Sequence, residues 1–350
     1  MAFVREILKS SLIKIAPIIG SSERQYLIDS VAGLGNYTNE MKKISDRRRT
    51  LFSRMSASHQ RLVKSTGYTQ RIQNVAKAIK ANERITASIA DYAKTKFKIS
   101  RSELLQATPS RHSRVVELLK HFVRDWSEEG ARERRITFTP ILDSLLDEFG
   151  SEPTDKRVLV PGAGVGRLAY DISQLGFTTE ANEYSYLMHL GHLYILSFEQ
   201  DSLEVYPFIH SFSYQKSEAD QLRPIAFPDL TPTVKKDNLS ATYGDFLQLK
   251  GQTYNAIVTL FFIDTAEDVL TYIETIHRLL EPEGVWINCG PLKWGTAPRV
   301  EFTVEELLKV LPKMGFKVEK RWSCNAEYVA DSESLWHGYY GIEGWVARKV

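Results

Sequence analysis

From about Glu23 to Ile99 apolar residues recur at three- and four-residue spacing, as at Ile72, Val75, Ala76 and Ile79, with Gly67 as the interior break. That period predicts helices and no strand. Ser100 to Ser113 is polar and contains Pro109, so a connection is expected there, followed by helices over Val115 to Trp126 and Phe138 to Phe149. After the polar stretch Gly150 to Arg157 the pattern changes. Short apolar runs now alternate with helical ones: strand Val158 to Val160, helix Arg167 to Gln174, strand Thr178 to Asn182, helix Ser185 to Phe198. The alternation resumes with strand Leu239 to Tyr243, strand Tyr254 to Phe262, helix Ala266 to Leu280, a turn at Glu281 to Gly284, strand Val285 to Cys289 and helix Val304 to Met314. Two further strands are expected near Lys317 to Ser323 and Gly344 to Lys349. Such an order predicts an α/β fold, a doubly wound sheet closed by an antiparallel C-terminal hairpin and preceded by an all-helical N-terminal region. The organisation expected is an extension over 1–20, a helical region over 21–110, and an α/β unit over 111–350 with an insertion at about 201–237.

The insertion carries Pro207, Pro224, Pro228 and Pro232, which interrupt any regular element. Its aromatic content (Tyr206, Phe208, Phe212, Tyr214, Phe227) predicts an ordered lid or wall rather than a linker.

With 350 residues and 43% hydrophobic content the chain can bury a large core. The net charge of +2 conceals an asymmetry: residues 1–110 hold 20 Lys and Arg against 8 Asp and Glu, leaving −10 for the rest. Only Lys42-Lys43 and Arg47-Arg48-Arg49 are dense, which fits solvated helix faces better than a nucleic-acid surface. Cys289 and Cys324 lie far apart, without partners at metal-ligand spacing, so neither a zinc site nor a disulfide framework is expected. No run of about 18 apolar residues predicts a membrane span.

The most informative segment is Val158-Leu-Val-Pro-Gly-Ala-Gly-Val-Gly166, a buried strand running into a glycine turn and a helix. Gly162, Gly164 and Gly166 let the backbone approach a ligand closely at the helix N-terminus, and Glu183 ends the next strand where ribose hydroxyls are met. A dinucleotide fingerprint needs a small residue at 167, where this chain has Arg167, so a dehydrogenase is disfavoured. The spacing G-x-G-x-G with an acid at the end of the next strand suits a cofactor with no pyrophosphate to cradle, of which S-adenosylmethionine is the common one. Asp245 and Phe246 after the next strand could offer a carboxylate to an adenine amine and a ring to the base. Asp264 ends the run Leu260-Phe-Phe-Ile263, which places a carboxylate at the carboxyl edge of a central strand, facing the crevice. His189 and His192, three apart, are expected to face the insertion or solvent and not a metal.

These segments together resemble the carnosine N-methyltransferase family, from about Glu23 to the C-terminus. The resemblance rests on Phe122-Val-Arg-Asp-Trp-Ser-Glu-Glu-Gly130, Leu159-Val-Pro-Gly-Ala-Gly-Val-Gly-Arg-Leu168, Asn182-Glu183, Tyr206-Pro207 and Ala219-Asp-Gln-Leu-Arg-Pro224. It also rests on Gly244-Asp-Phe246, Phe261-Phe-Ile-Asp-Thr-Ala266 and Trp286-Ile-Asn-Cys-Gly-Pro-Leu292. It implies a Rossmann-like class I methyltransferase fold and an S-adenosylmethionine site in which Arg124 meets the methionine carboxylate. Gly162, Gly164, Gly166, Glu183, Asp245 and Phe246 would hold the remainder, Leu260 would line the pocket, and His121 stands where the family has a glutamine. Asp264, as the catalytic group, with Phe261, Tyr328 and Tyr340 would surround the imidazole of a β-alanyl-histidine dipeptide. Two positions depart from the pattern: Gly295 falls on a pocket histidine and Gly338 on a pocket tyrosine, with His337 or Trp294 available to fill the space. The resemblance thus implies methyl transfer to the imidazole of carnosine or a related histidine-containing molecule. The alternatives are a non-catalytic cofactor-binding scaffold and a methyltransferase for a peptide or protein histidine. A small-molecule or dipeptide partner is expected, with no membrane, nucleic acid or metal; a homodimer through the N-terminal helices stays open. The expected location is the cytoplasm, with the nucleus as a second compartment.

Overall fold

The structure, a computed structural model, describes residues 20–108, 112–198, 202–233, 238–295, 297–329 and 331–350. Apart from Gly20, the extension expected over 1–20 lies outside them, as do Pro109 and residues 201 and 234–237 of the insertion.

Among the described residues the N-terminal region forms α1 (Ser21–Gly35), α2 (Tyr37–Ser53), α3 (Ala57–Ser65) and α4 (Tyr68–Phe97), followed by α5 (Arg101–Leu105). Gly67, at φ 84, opens α4, which a one-sided apolar stripe holds in place: Ile72, Val75, Ile79, Ile85 and Ile89 are all buried. Ser100 and Glu103 form a reciprocal cap at the start of α5, a short helix within the expected connection. Two longer helices follow, α6 (His112–Trp126) and α7 (Ala131–Phe149). Helix α7 begins seven residues before the apolar run that announces it and continues through Pro140. The polar first turns are held by Arg134, which donates from Nη1 to the carbonyls of Arg124 and Ser127, both at 2.8 Å.

Beyond Gly150 lies a seven-stranded sheet in the order β5-β2-β1-β6-β7-β9-β8. Its strands are β1 (Arg157–Pro161), β2 (Thr178–Glu183), β5 (Leu239–Tyr243), β6 (Tyr254–Leu260), β7 (Leu280–Gly290), β8 (Phe316–Ala326) and β9 (Tyr340–Lys349). The first five are mutually parallel, and β9 runs antiparallel between β7 and β8, forming the expected C-terminal hairpin. Helices α8 (Arg167–Gln174), α9 (Tyr186–Leu196), α11 (Val269–Leu279) and α12 (Val304–Val310) complete the α/β alternation. The strand order reverses at β1 and β6, so the carboxyl ends of these two strands open a crevice, the usual ligand position in such sheets.

The insertion contributes a small antiparallel pair, β3 (Leu203–Val205) and β4 (Ile225–Phe227), and a short helix α10 (Glu218–Gln221). It is tied to α4 by side-chain amides. Asn82 exchanges two hydrogen bonds with the backbone of Tyr206, at 2.8 and 2.9 Å, and also donates to the Tyr37 hydroxyl at 3.1 Å. Arg71 reaches Gln221 at 2.6 Å. Because these amides are buried with their partners satisfied, helices and insertion pack as one wall beside the crevice.

Arg167, which breaks the dinucleotide pattern, has a structural task. Its guanidinium lies 4.9 Å from the Trp126 ring, donates to Asp229 at 2.7 Å and to the Asp125 carbonyl at 3.0 Å, and pairs with Asp171 at 2.9 Å. Arg134 takes the other Asp229 oxygen at 2.5 Å. This buried network joins the glycine-turn helix to α6, α7 and the insertion.

Candidate active site

At the end of β1 the chain turns through Gly162, Gly164 and Gly166, at φ 65, 58 and 81. They serve different ends. A Cβ on Gly164 would meet open space in the cleft, whereas one on Gly166 would stand 2.1 Å from Nε2 of the His192 imidazole. Gly162 faces the ring of Phe262. Thus Gly162 and Gly164 line the cleft, and Gly166 serves the packing of α8 on α9.

That contact corrects the expectation for the paired histidines. His189 and His192 are both 1% exposed and so do not face solvent, and burial lowers their pKa to about 3 and about 4. Among the described residues no group of three or more potential ligands could hold a metal.

Glu183, at the end of β2, accepts the Gly164 N–H at 2.8 Å and the Ser185 N–H at 2.7 Å. Burial raises its pKa while these N–H donors oppose the shift. Asp245 follows β5 and caps the turn Phe246–Gln248 by accepting the Leu247 N–H at 2.9 Å. The Phe246 ring is fixed edge-on against Phe262 and Tyr272, at 5.3 and 5.1 Å. Across the cleft, α6 presents His121 and Arg124 one turn apart. Asp125 fixes the Arg124 fork, Oδ1 to Nε at 2.6 Å and Oδ2 to Nη2 at 2.8 Å. Burial works against the Arg124 charge, but Asp125 and Tyr328 outweigh it and raise its pKa. Burial and the Arg124 charge lower His121 to about 3, and its buried Nδ1 lacks a hydrogen-bond partner. These groups enclose a cleft of about 850 Å³, with Leu260 in its wall.

Beyond Leu260 the backbone bends sharply. Phe261 has φ 49, a conformation that costs a non-glycine residue on the order of 1 kcal/mol or more. The bend turns its ring toward the hairpin tyrosines, 4.8 Å from Tyr328 and 6.3 Å from Tyr340. Asp264 follows in the short turn Ile263–Thr265 and is 7% exposed. Asp264 Oδ2 accepts the Lys293 N–H at 3.1 Å, and burial pushes its pKa up to about 6. Tyr328 also lies under Arg124, 4.8 Å from the guanidinium carbon. A second cavity of about 540 Å³, lined by Tyr328, Tyr340, Lys120 and His337 among others, opens beside the first.

The cleft suits a nucleoside joined to an amino acid. It has a strand-end acid, a ring with a neighbouring carboxylate, and a guanidinium whose fork Asp125 holds in place. A family model described as carnosine N-methyltransferase matches residues 101–350. The chain belongs to the carnosine N-methyltransferase family. It is an S-adenosylmethionine-dependent methyltransferase. The carnosine N-methyltransferase of Schizosaccharomyces pombe is 34% identical over 344 residues, covering 89% of this chain and 92% of that protein. The rat enzyme of the same name is 32% identical over 348 residues, covering 93% and 86%.

For this methyltransferase the departures at 295 and 338 have visible outcomes. Gly295 donates its N–H to the Asp264 carbonyl at 2.9 Å, and a Cβ there would meet only ordinary contacts near 3.7 Å. At Gly338 the space is taken by the Trp336 ring, 2.4 Å from where a Cβ would stand. His337 lines the second cavity, but Trp294 is turned away, its indole N–H donating to the Phe302 carbonyl at 2.9 Å. Sequence reasoning missed Asp125 and Tyr272 as supports of the site and Lys293 as the donor to Asp264. Only Asp125 carried a signal, its adjacency to Arg124.

Proposed function

We propose that this protein methylates an imidazole nitrogen of carnosine or a related histidine-containing dipeptide. The observation that carries this reading is the buried Asp264 carboxylate, three residues after Phe261 and linked through Lys293 to Tyr340, next to a cluster in which Phe261 meets Tyr328 and Tyr340. S-adenosylmethionine, when bound, supplies an electrophilic methyl group on a sulfonium. Arg124 meets its carboxylate, Glu183 its ribose, and Asp245 and Phe246 its adenine, while His121, Leu260 and the backbone at Gly162 and Gly164 complete the enclosure; Gly166 supports the turn from behind.

The acceptor imidazole lies against Phe261 and the two tyrosines, with one nitrogen turned toward the cleft. Asp264 accepts the N–H of the other nitrogen, which fixes the tautomer that leaves a lone pair for the incoming methyl. As the ring becomes positive the carboxylate stabilises it, and it then takes the proton the methylated ring must lose. A carboxyl raised to about 6 is closely matched to an imidazolium donor, which favours this transfer near neutral pH.

The test is incubation with labelled methyl donor and carnosine, homocarnosine, free histidine and anserine, with mass spectrometry of the products. Label in carnosine or homocarnosine is expected, together with its loss in Asp264→Ala while cofactor binding persists. Label confined to free histidine would shift the acceptor class, and no label in any imidazole would refute the reading.

A further inference from the structure

Lys293 follows β7 in the loop that closes over Asp264, and its two ends do different things. Its backbone N–H holds the Asp264 carboxylate, while its ammonium reaches the Tyr340 hydroxyl at 3.2 Å and lies 5.6 Å from that ring's centre. Tyr340 in turn meets the edge of Phe261 and lines the second cavity. The ammonium therefore stands at the rim of the acceptor cluster. Among the described residues it has no acidic partner in direct contact, whereas most long cations of this chain near the sheet edges are paired, as Arg348 is with Glu148 and Glu319. The neighbouring Gly295 offers no side chain that could contact an acceptor, so the exposed rim of this wall carries the Lys293 ammonium, with the Asp264 carboxylate buried behind it and acting on it through space.

We propose that Lys293 is a specificity-determining residue that binds the carboxylate of the acceptor dipeptide, with the Tyr340 hydroxyl as its second donor. This role rests on the proposed acceptor class. In a β-alanyl-histidine the carboxylate is separated from the imidazole by two tetrahedral carbons. A ring held by Asp264 and Phe261 therefore carries its anion to the same rim. The lysine selects acceptors with a free carboxyl terminus, and it disfavours a histidine within a continuing chain, whose carboxyl is an uncharged amide.

The test compares carnosine with β-alanylhistamine, the same molecule without its carboxylate, in wild type, Lys293→Met and Lys293→Arg. All three retain the backbone N–H to Asp264. The variant Lys293→Met is expected to raise KM for carnosine about tenfold with kcat changed less than about twofold, and to leave KM for β-alanylhistamine unchanged. Lys293→Arg should restore most of the carnosine affinity. Calorimetric binding of the two acceptors in the presence of S-adenosylhomocysteine should show the same split. Equal effects on both acceptors, or none on carnosine, would overturn the role of Lys293 while leaving the acceptor class intact. Wild type that neither binds nor methylates either compound would instead overturn the acceptor class, and the role of Lys293 with it.

Discussion

Asp264 is costly to the fold in the form that catalysis needs. Burial raises its carboxyl from the ordinary 3.8 to about 6, so the folded protein holds this proton more tightly than the unfolded chain does. By linkage, the protonated group contributes its stability fully below about pH 4, and that contribution is lost as pH rises through about 6. The difference corresponds to on the order of 3 kcal/mol, and the group is only 7% exposed, so solvent screens little of it. An asparagine keeps an oxygen to accept the Lys293 N–H and carries no charge to bury. Asp264→Asn is therefore expected to match wild type at about pH 4 and to exceed it by roughly 2 to 3 kcal/mol at pH 8, while methyl transfer falls at least about a hundredfold. Urea denaturation of both proteins across that range, monitored by ellipticity, measures the difference, in which all other titrating groups cancel. A variant less stable than wild type at pH 8, or a difference that does not change with pH, would refute the assignment of a desolvated carboxylate to this position.

Two further substitutions probe the frame around the site. Gly166→Ala places a methyl against the His192 imidazole in a left-handed backbone, and should cost about 2 to 4 kcal/mol; adding His192→Ala should recover the steric share but not the backbone share, and strict additivity in thermal melts would count against the contact. Arg167→Leu leaves Asp229 and Asp171 without their shared cation and should destabilise by roughly 3 kcal/mol in denaturant titrations. A loss below about 1 kcal/mol would show that Arg134 alone satisfies Asp229.

What could be read in the sequence was what the chain builds locally. The strand, glycine turn and helix at 158–174, the acid at the end of β2 and the pair after β5 each follow from a short stretch whose residue types determine its conformation. The parallel order then carries those strand ends to one edge without further instruction, which is why Gly162, Glu183, Asp245 and Leu260 line one cleft. The strain at Phe261 has no such local signature. An aromatic residue at φ 49 is tolerated only because its backbone N–H is held by the Cys289 carbonyl at 2.9 Å, an interaction spanning 28 residues. The same limit hides the Arg167 to Asp229 pair, 62 positions apart, and the burial of His189 and His192, which depends on α6 and the glycine turn closing over α9. Arg167 shows the consequence. Its side chain was informative by what it excluded, a small residue under a pyrophosphate, and its actual partners explain the exclusion. A guanidinium at this position locks α6, and with it Arg124, against the turn, so the residue that rules out one cofactor also fixes the geometry of the cleft that takes another.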